Sequence, residues 1–344
     1  LAPMGGGMEH QTMTTLQNFN FELVAHELTH QWFGNNVTCG SWQDIWINEG
    51  FASYGEYLAL EFLRSKDAAI HWMADAHNYA KREPGKSIYL TKEEAKGTFR
   101  IFSMPLSYKK GASILHMLRY ELNDDDLFFR IMKEFQQRYA DSSAVAEDFI
   151  RVLNQLSGND YAWFFDQWYY GSGYPVFQTS WKQKGDSVLI ESYQNNISDS
   201  PPLFKSHYDY LIRFEDGSDT LVRVLYNESY EDFGFRFPGR VQTITGDPVH
   251  NVLSENTILR YFPQDTLFEV TPNPFSNYID ILFQTSQPDR LVSITDLNGR
   301  VLYEENVQDG AARLMPEILA EGIYILVVEE DGRKYSKRII KAGN

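Results

Sequence analysis

A multidomain α+β chain is predicted, with a mostly helical part over residues 1–175, a small β-sandwich over 176–263 and an Ig-like β-sandwich over 264–344. Three observations predict it. Apolar residues recur at helical spacing to about residue 170, alternate with period two from Val176, and restart after a Pro263-Gln264-Asp265 break. A length of 344 residues accommodates two or three domains. An aromatic content of 15% favours large packed cores over disorder.

The elements follow in order. A first helix over 19–33 has Leu23, Val24, Leu28, Trp32 and Phe33 to bury, and a second opens at Trp46 and runs to about Leu63. Further helices are expected at 67–79, 108–122, 125–139, 144–156 and 161–169, where Ile114, Leu115, Leu118 and Leu122 share one stripe and Phe128, Met132 and Phe135 another. The stripe Trp163, Phe164 and Trp168 reads as core. Gly171, Gly173 and Pro175 end the helical part. Strands are expected at 177–182, 187–190, 208–214 and 220–225, with turns at Gly185-Asp186 and Asp216-Gly217. The last part shows strands at 278–283, 291–295, 300–304, 322–328 and 335–340, joined by turns at 296–300 and Asp331-Gly332. Seven or so short strands in so few residues argue an Ig-like sandwich.

The chemistry concentrates early. His26 and His30 stand four apart in His26-Glu27-Leu28-Thr29-His30, and eighteen residues separate His30 from Glu49. On a helix, positions i and i+4 lie on one face, so both imidazoles reach one ion. Two neutral nitrogens and one carboxylate suit Zn²⁺, and three protein ligands leave a fourth position for water. Glu27 lies next to His26, close enough to take a proton from that water.

Gly6-Gly7-Met8-Glu9-His10, then His26 through Asn35 (HELTHQWFGN), then Asn48-Glu49-Gly50-Phe51 resemble, in order and spacing, the membrane alanyl aminopeptidase family of zinc peptidases. These are gluzincins with a thermolysin-like catalytic domain, and the resemblance covers about residues 1 to 265. It implies a zinc-dependent aminopeptidase that hydrolyses the N-terminal peptide bond of peptides with a free N-terminus. It assigns His26, His30 and Glu49 as ligands of one Zn²⁺ and Glu27 as general base. Glu9 is assigned to the substrate α-amino group, which needs an opposite charge when buried. Gly6, Gly7 and Met8 would bind substrate, the glycines letting the peptide add as a strand at an edge. The family motif ends in asparagine, and this chain has His10.

Tyr108, just before Lys109-Lys110-Gly111, matches a tyrosine whose hydroxyl stabilises the tetrahedral oxyanion. Glu56, seven residues after Glu49, matches an acid that accepts from a ligand histidine. An ordinary exposed helical glutamate is the competing reading. The segment after the helices matches the family's following β-domain, with a structural role. Family members carry a large β-domain and part of the catalytic sheet before these motifs. The chain starts at Leu1 without a signal peptide, so a fragment is expected whose amine-binding strand lacks sheet neighbours.

The tail resembles the C-terminal sorting domain of the type IX secretion system of Bacteroidetes-like bacteria. The likeness rests on Pro272-Asn273-Pro274-Phe275, Asn298-Gly299-Arg300-Val301, Gly322-Ile323-Tyr324-Ile325 and the basic end Lys337-Arg338-Ile339-Ile340-Lys341. It implies the type IX machinery as partner and a secreted or cell-surface location, and leaves open whether the tail is then removed. A generic sandwich or a sugar-binding module is the alternative, but no exposed aromatic platform pattern favours sugar.

A net charge of −16 argues against nucleic-acid binding, and no run of eighteen apolar residues exists to span a membrane. The single cysteine, Cys39, has no internal disulfide partner and reads as a small buried residue. Two rival functions stand beside the aminopeptidase. A thermolysin-like endopeptidase shares the zinc triplet but has no use for Glu9. A non-catalytic cell-surface binding protein on a peptidase scaffold has no use for the intact His26, Glu27, His30, Glu49 and Tyr108.

Overall fold

One helix buried on every side organises the N-terminal part. It is α2, Trp46–Leu63, in which every residue from Trp46 to Tyr57 is buried. The computed structural model describes residues 5–198, 201–260, 268–283, 290–308, 310–330 and 333–343. The Pro263–Asp265 break and the Asp331-Gly332 turn lie outside the described residues. The chain divides into two compact units. The first is Leu1–Pro175 with Asn196–Tyr208 and Asp247–Ser254; the second is Val176–Asn195 with Asp209–Gly246 and Glu255–Asn344.

In the first unit α1, Phe21–Thr29, starts where Asn20 Oδ1 accepts from the Leu23 N–H at 2.9 Å. It is shorter than the predicted 19–33, although the His30 N–H still donates to the His26 carbonyl. Leu28 and Trp32 do not join the core as expected. They are 55% and 52% exposed, because the buried face of α1 is the one carrying Ala25, His26 and Glu27. Helix α3, Lys66–Ala80, is capped by Ser65. The expected helix at 108–122 divides into a π-helical turn, Met104–Lys110, and an α-helix, Gly111–Leu122. Helices Asp125–Arg138 and Ala146–Ser157 follow, and Ser142–Ala144 pairs in parallel with Val37–Cys39.

Two contacts set the position of α2. Its aromatic side packs Trp46 and Phe51 against Phe149 and Tyr169, with ring centroids 5.2–6.1 Å apart. Such pairs contribute about 0.5–1.5 kcal/mol each beyond their burial. On another side Gly50 meets Gly111: a Cβ on Gly50 would lie 3.0 Å from the Gly111 Cα. Only the absence of both side chains lets the helix that follows Tyr108 approach the residue that follows Glu49 so closely.

The expected strands, which lie mostly in the second unit, appear as Pro175–Lys184, Ser187–Asn196, Ser206–Phe214 and Asp219–Tyr226. Three more complete two sheets: Tyr230–Arg236, Val241–Gly246 and Glu255–Arg260. Glu255–Arg260 pairs in parallel with Pro175–Lys184. The tail contributes seven strands among the described residues, in a three-stranded and a four-stranded sheet. Ile279, Ile281 and Leu314 of one sheet share an apolar core with Val292, Leu326 and Val328 of the other. The 296–300 turn closes through Asp296, whose carboxylate accepts from the Asn298 and Arg300 N–H groups at 2.9 Å. The tail is also fastened to the strands before it. The Ile323 N–H donates to Gln178 Oε1 at 3.0 Å, Arg338 pairs with Glu191, and Tyr193 packs with Ile323 and Ile340. Among the described residues, no helix is long and apolar enough to cross a membrane.

Candidate active site

The i,i+4 geometry of α1 brings the two histidines together. His26 Nε2 lies 3.1 Å from His30 Nε2, and both lie 3.4 Å from Glu49 Oε2, which α2 supplies. The other ring nitrogens are engaged. His30 Nδ1 is 2.9 Å from the Phe33 carbonyl, and His26 Nδ1 is 2.9 Å from Glu56 Oε1. Both partners accept, so each Nδ1 carries the proton and each Nε2 of a neutral ring presents a lone pair. Two lone pairs and a carboxylate oxygen then converge on one point. That arrangement is repulsive unless a cation sits between them, and its two nitrogens and one oxygen are a donor set that fits zinc. The electrostatics show that this point favours positive charge, which a proton or a metal cation can supply. Burial opposes a charged imidazole, yet the Glu49 and Glu56 carboxylates push His26 up to about 9. Burial likewise opposes charge on Glu49, but the adjoining His26 and His30 hold it down at about 2.

Around this centre a cavity of about 760 Å³ collects the other expected residues. Glu27 is buried, and its Oε2 has no hydrogen-bond partner among the described residues. Burial raises its affinity for a proton, against the pull of the two histidines. Glu9 faces the same cavity, with a carboxylate oxygen within 4.8 Å of ligand atoms of Glu27 and His30. Contrary to the expectation that this strand lacks sheet neighbours, Gly7–Met8 pairs antiparallel with Thr15–Leu16. Gly7 has a reason in the structure that its sequence did not suggest: a Cβ there would fall 2.2 Å from Glu27 Oε1. Gly6 and Met8 line the cavity beside it, and His10 turns out, exposed, toward Thr15 at 3.4 Å.

The π-helical turn carries Tyr108 over His26, with ring centroids 5.9 Å apart and planes 14° from parallel. Burial and the neighbouring Glu49 carboxylate raise its pKa far above the ordinary phenol, so the hydroxyl stays protonated as a donor. Glu56 is buried, not an exposed helical acid. Its second oxygen accepts from Trp72 Nε1 at 2.9 Å and from Lys109 Nζ at 3.1 Å. Exposed Trp42, Phe102 and Met104 form an apolar wall of the cavity. Cys39 is half-buried, and burial pushes its thiol up to about 11, which keeps it protonated.

Sequence reasoning missed four supports. Gln31 and Asn35 donate to the Glu9 carbonyl at 3.3 and 2.6 Å, pinning that strand to α1 and the turn after it. Their spacing of four and eight from Glu27 was the available signal. Trp72 and Lys109 left no local signal.

Residues 7–168 match the peptidase family M1 domain, and residues 269–342 match the secretion system C-terminal sorting domain. Aminopeptidase N of Lactococcus lactis subsp. lactis is 31% identical over 178 residues, 50% of this chain and 21% of that protein. Aminopeptidase M1-D of Oryza sativa subsp. japonica is 35% identical over 184 residues, again 50% of this chain and 20% of that protein. The chain thus spans about a fifth of the length of these curated relatives. The crystal structure of Legionella pneumophila aminopeptidase A in complex with aspartic acid shares the fold, with a TM-score of 0.56 at 19% identity over 72% of this chain and 28% of that one. The chain therefore carries a domain of peptidase family M1, the aminopeptidase N family, joined to a C-terminal secretion sorting domain.

Proposed function

We propose that this chain is the catalytic and sorting part of a secreted zinc aminopeptidase. The observation that carries the reading is the convergence of two imidazole lone pairs and the Glu49 carboxylate in a cavity that also receives Glu9, Glu27 and Tyr108. His26, His30 and Glu49 would hold a zinc ion, which when bound would supply Lewis acidity toward a carbonyl and lower the pKa of water toward about 7. Glu27, with a buried oxygen that has no partner among the described residues, takes the proton of the attacking water and returns it to the leaving amine. The Tyr108 hydroxyl donates to the oxygen on which charge develops. Glu9 holds the substrate ammonium and so fixes the register of the first peptide bond in the cavity. The apolar wall of Trp42, Phe102 and Met104 packs against substrate side chains. The sorting domain directs the protein through the type IX machinery to the outside of the cell or its surface.

Hydrolysis of aminoacyl fluorogenic amides and of the same peptides with blocked N-termini tests this. Only the free-amine substrates turn over, chelation stops the reaction, and Glu9→Ala loses at least about tenfold in kcat/KM on them. Glu27→Gln keeps its zinc and loses about 10²–10⁴-fold in kcat. Equal cleavage of blocked peptides would favour the endopeptidase reading, and zinc-free wild-type protein the binding-protein reading.

A further inference from the structure

We propose that Lys109, together with Trp72, is a positioning residue for the metal site, holding the Glu56 carboxylate that orients His26. The inference rests on the zinc reading above and adds to it a residue outside the ligand set. Glu56 divides its two oxygens. Oε1 accepts from His26 Nδ1 at 2.9 Å; Oε2 accepts from Trp72 Nε1 at 2.9 Å and from Lys109 Nζ at 3.1 Å. A carboxylate held by one bond can rotate about its Cγ–Cδ axis. Two donors on the far oxygen fix its plane, and with it the tautomer and tilt of the imidazole. Trp72 serves twice, because the Lys109 ammonium lies 4.1 Å from its ring centroid while its N–H reaches Glu56.

This is not an exposed ion pair of negligible worth. The Lys109 and Glu56 side chains are 16% and 12% exposed. Charge argues the same way. Glu9, Glu27, Glu49 and Glu56 line the cavity, and Lys109 is the one lysine or arginine among the described residues lining it. Its ammonium is spent on the carboxylate behind His26. Lys109 also follows Tyr108 directly, so one π-helical turn places both the phenol over His26 and the cation that steadies the support of His26.

The test is zinc affinity of the full chain, measured by competition with a chromophoric chelator, with the visible spectrum of the cobalt-substituted protein as a second readout. Lys109→Met weakens zinc about 10-fold, at the low end of the range for groups that support a metal ligand. It also shifts the cobalt bands, and Lys109→Arg restores both. In a Glu56→Gln background, Lys109→Met has no further effect, because the lysine acts through that carboxylate. Trp72→Phe, which keeps the ring but removes the N–H, gives a similar loss and serves if Lys109→Met folds poorly. Unchanged affinity in Lys109→Met or in Trp72→Phe, or a loss that adds fully to that of Glu56→Gln, overturns the assignment. A wild-type chain that binds no zinc overturns the metal reading and this inference with it.

Discussion

Replacing Gly50 by alanine probes the site through packing alone. The new Cβ would lie 3.0 Å from the Gly111 Cα and 3.1 Å from its carbonyl carbon. Carbon atoms pack best at about 3.5–4.0 Å, so the two helices must part by about 0.5–1 Å. Both contact atoms are backbone, and no side chain can swing aside to absorb the strain. Stability changes little. Alanine in a helix gains about 1 kcal/mol over glycine, while overpacking costs about 1–3 kcal/mol, a net loss of about 0–2 kcal/mol. Activity should change more. Gly50 follows Glu49 directly and Gly111 lies three residues past Tyr108, so the separation opens the gap between the Glu49 and Tyr108 side chains. A misplacement of about 1 Å costs on the order of 100-fold. We therefore expect kcat on an aminoacyl amide to fall about 10- to 100-fold, with the urea midpoint nearly unmoved. A kcat within twofold of wild type would refute the claim that this contact sets the Tyr108 position.

Two further outcomes are expected. Tyr108→Phe lowers kcat about 100-fold with little change in KM, since the hydroxyl acts on developing charge; an unaltered kcat removes it from the mechanism. Lys110→Met stabilises the fold in a pH-dependent way. Lys110 is buried with its ammonium 3.4 Å from the Gly171 carbonyl, and burial, helped by the Arg100 charge, lowers it from 10.5 to about 7. Between those pH values the unfolded chain binds more protons than the folded one, so wild-type stability rises with pH. The advantage of Lys110→Met is thus greatest below pH 7, up to about 5 kcal/mol, and fades toward pH 10. Thermal melts at pH 6 and pH 9.5 check this, and a constant difference would show that Lys110 is not held neutral.

The pairing of His26 with His30 was legible because a helix turns a spacing of four into adjacency, a local rule. Glu56 was half-legible: its spacing from Glu49 placed it on the right face, but only tertiary structure shows Trp72 and Lys109 on its second oxygen. The same limit explains Leu28 and Trp32. Apolar spacing marks both as inward-facing, yet α1 buries the face that carries its histidines. The strands at Tyr230–Arg236 and Val241–Gly246 escaped notice because charged, amide and glycine residues interrupt their apolar alternation. Glu255–Arg260 pairs with a strand some eighty residues earlier, which no local period announces. In the tail, short alternating runs and an Asp-Leu-Asn-Gly turn sufficed, since hairpins are built from neighbours.

The fastening of the tail to the strands before it has a consequence for any later cut between them. While the chain is continuous, the Arg338–Glu191 and Ile323–Gln178 contacts form between tethered partners, at an effective concentration on the order of millimolar. A weak contact is then almost fully made. One cleavage turns it into an encounter of two molecules, and dilution outside the cell dissolves what the tether had maintained. Proteolysis would loosen the tail, and its departure would bare on the remaining protein a face where Glu191 has lost its guanidinium and Tyr193 its apolar cover.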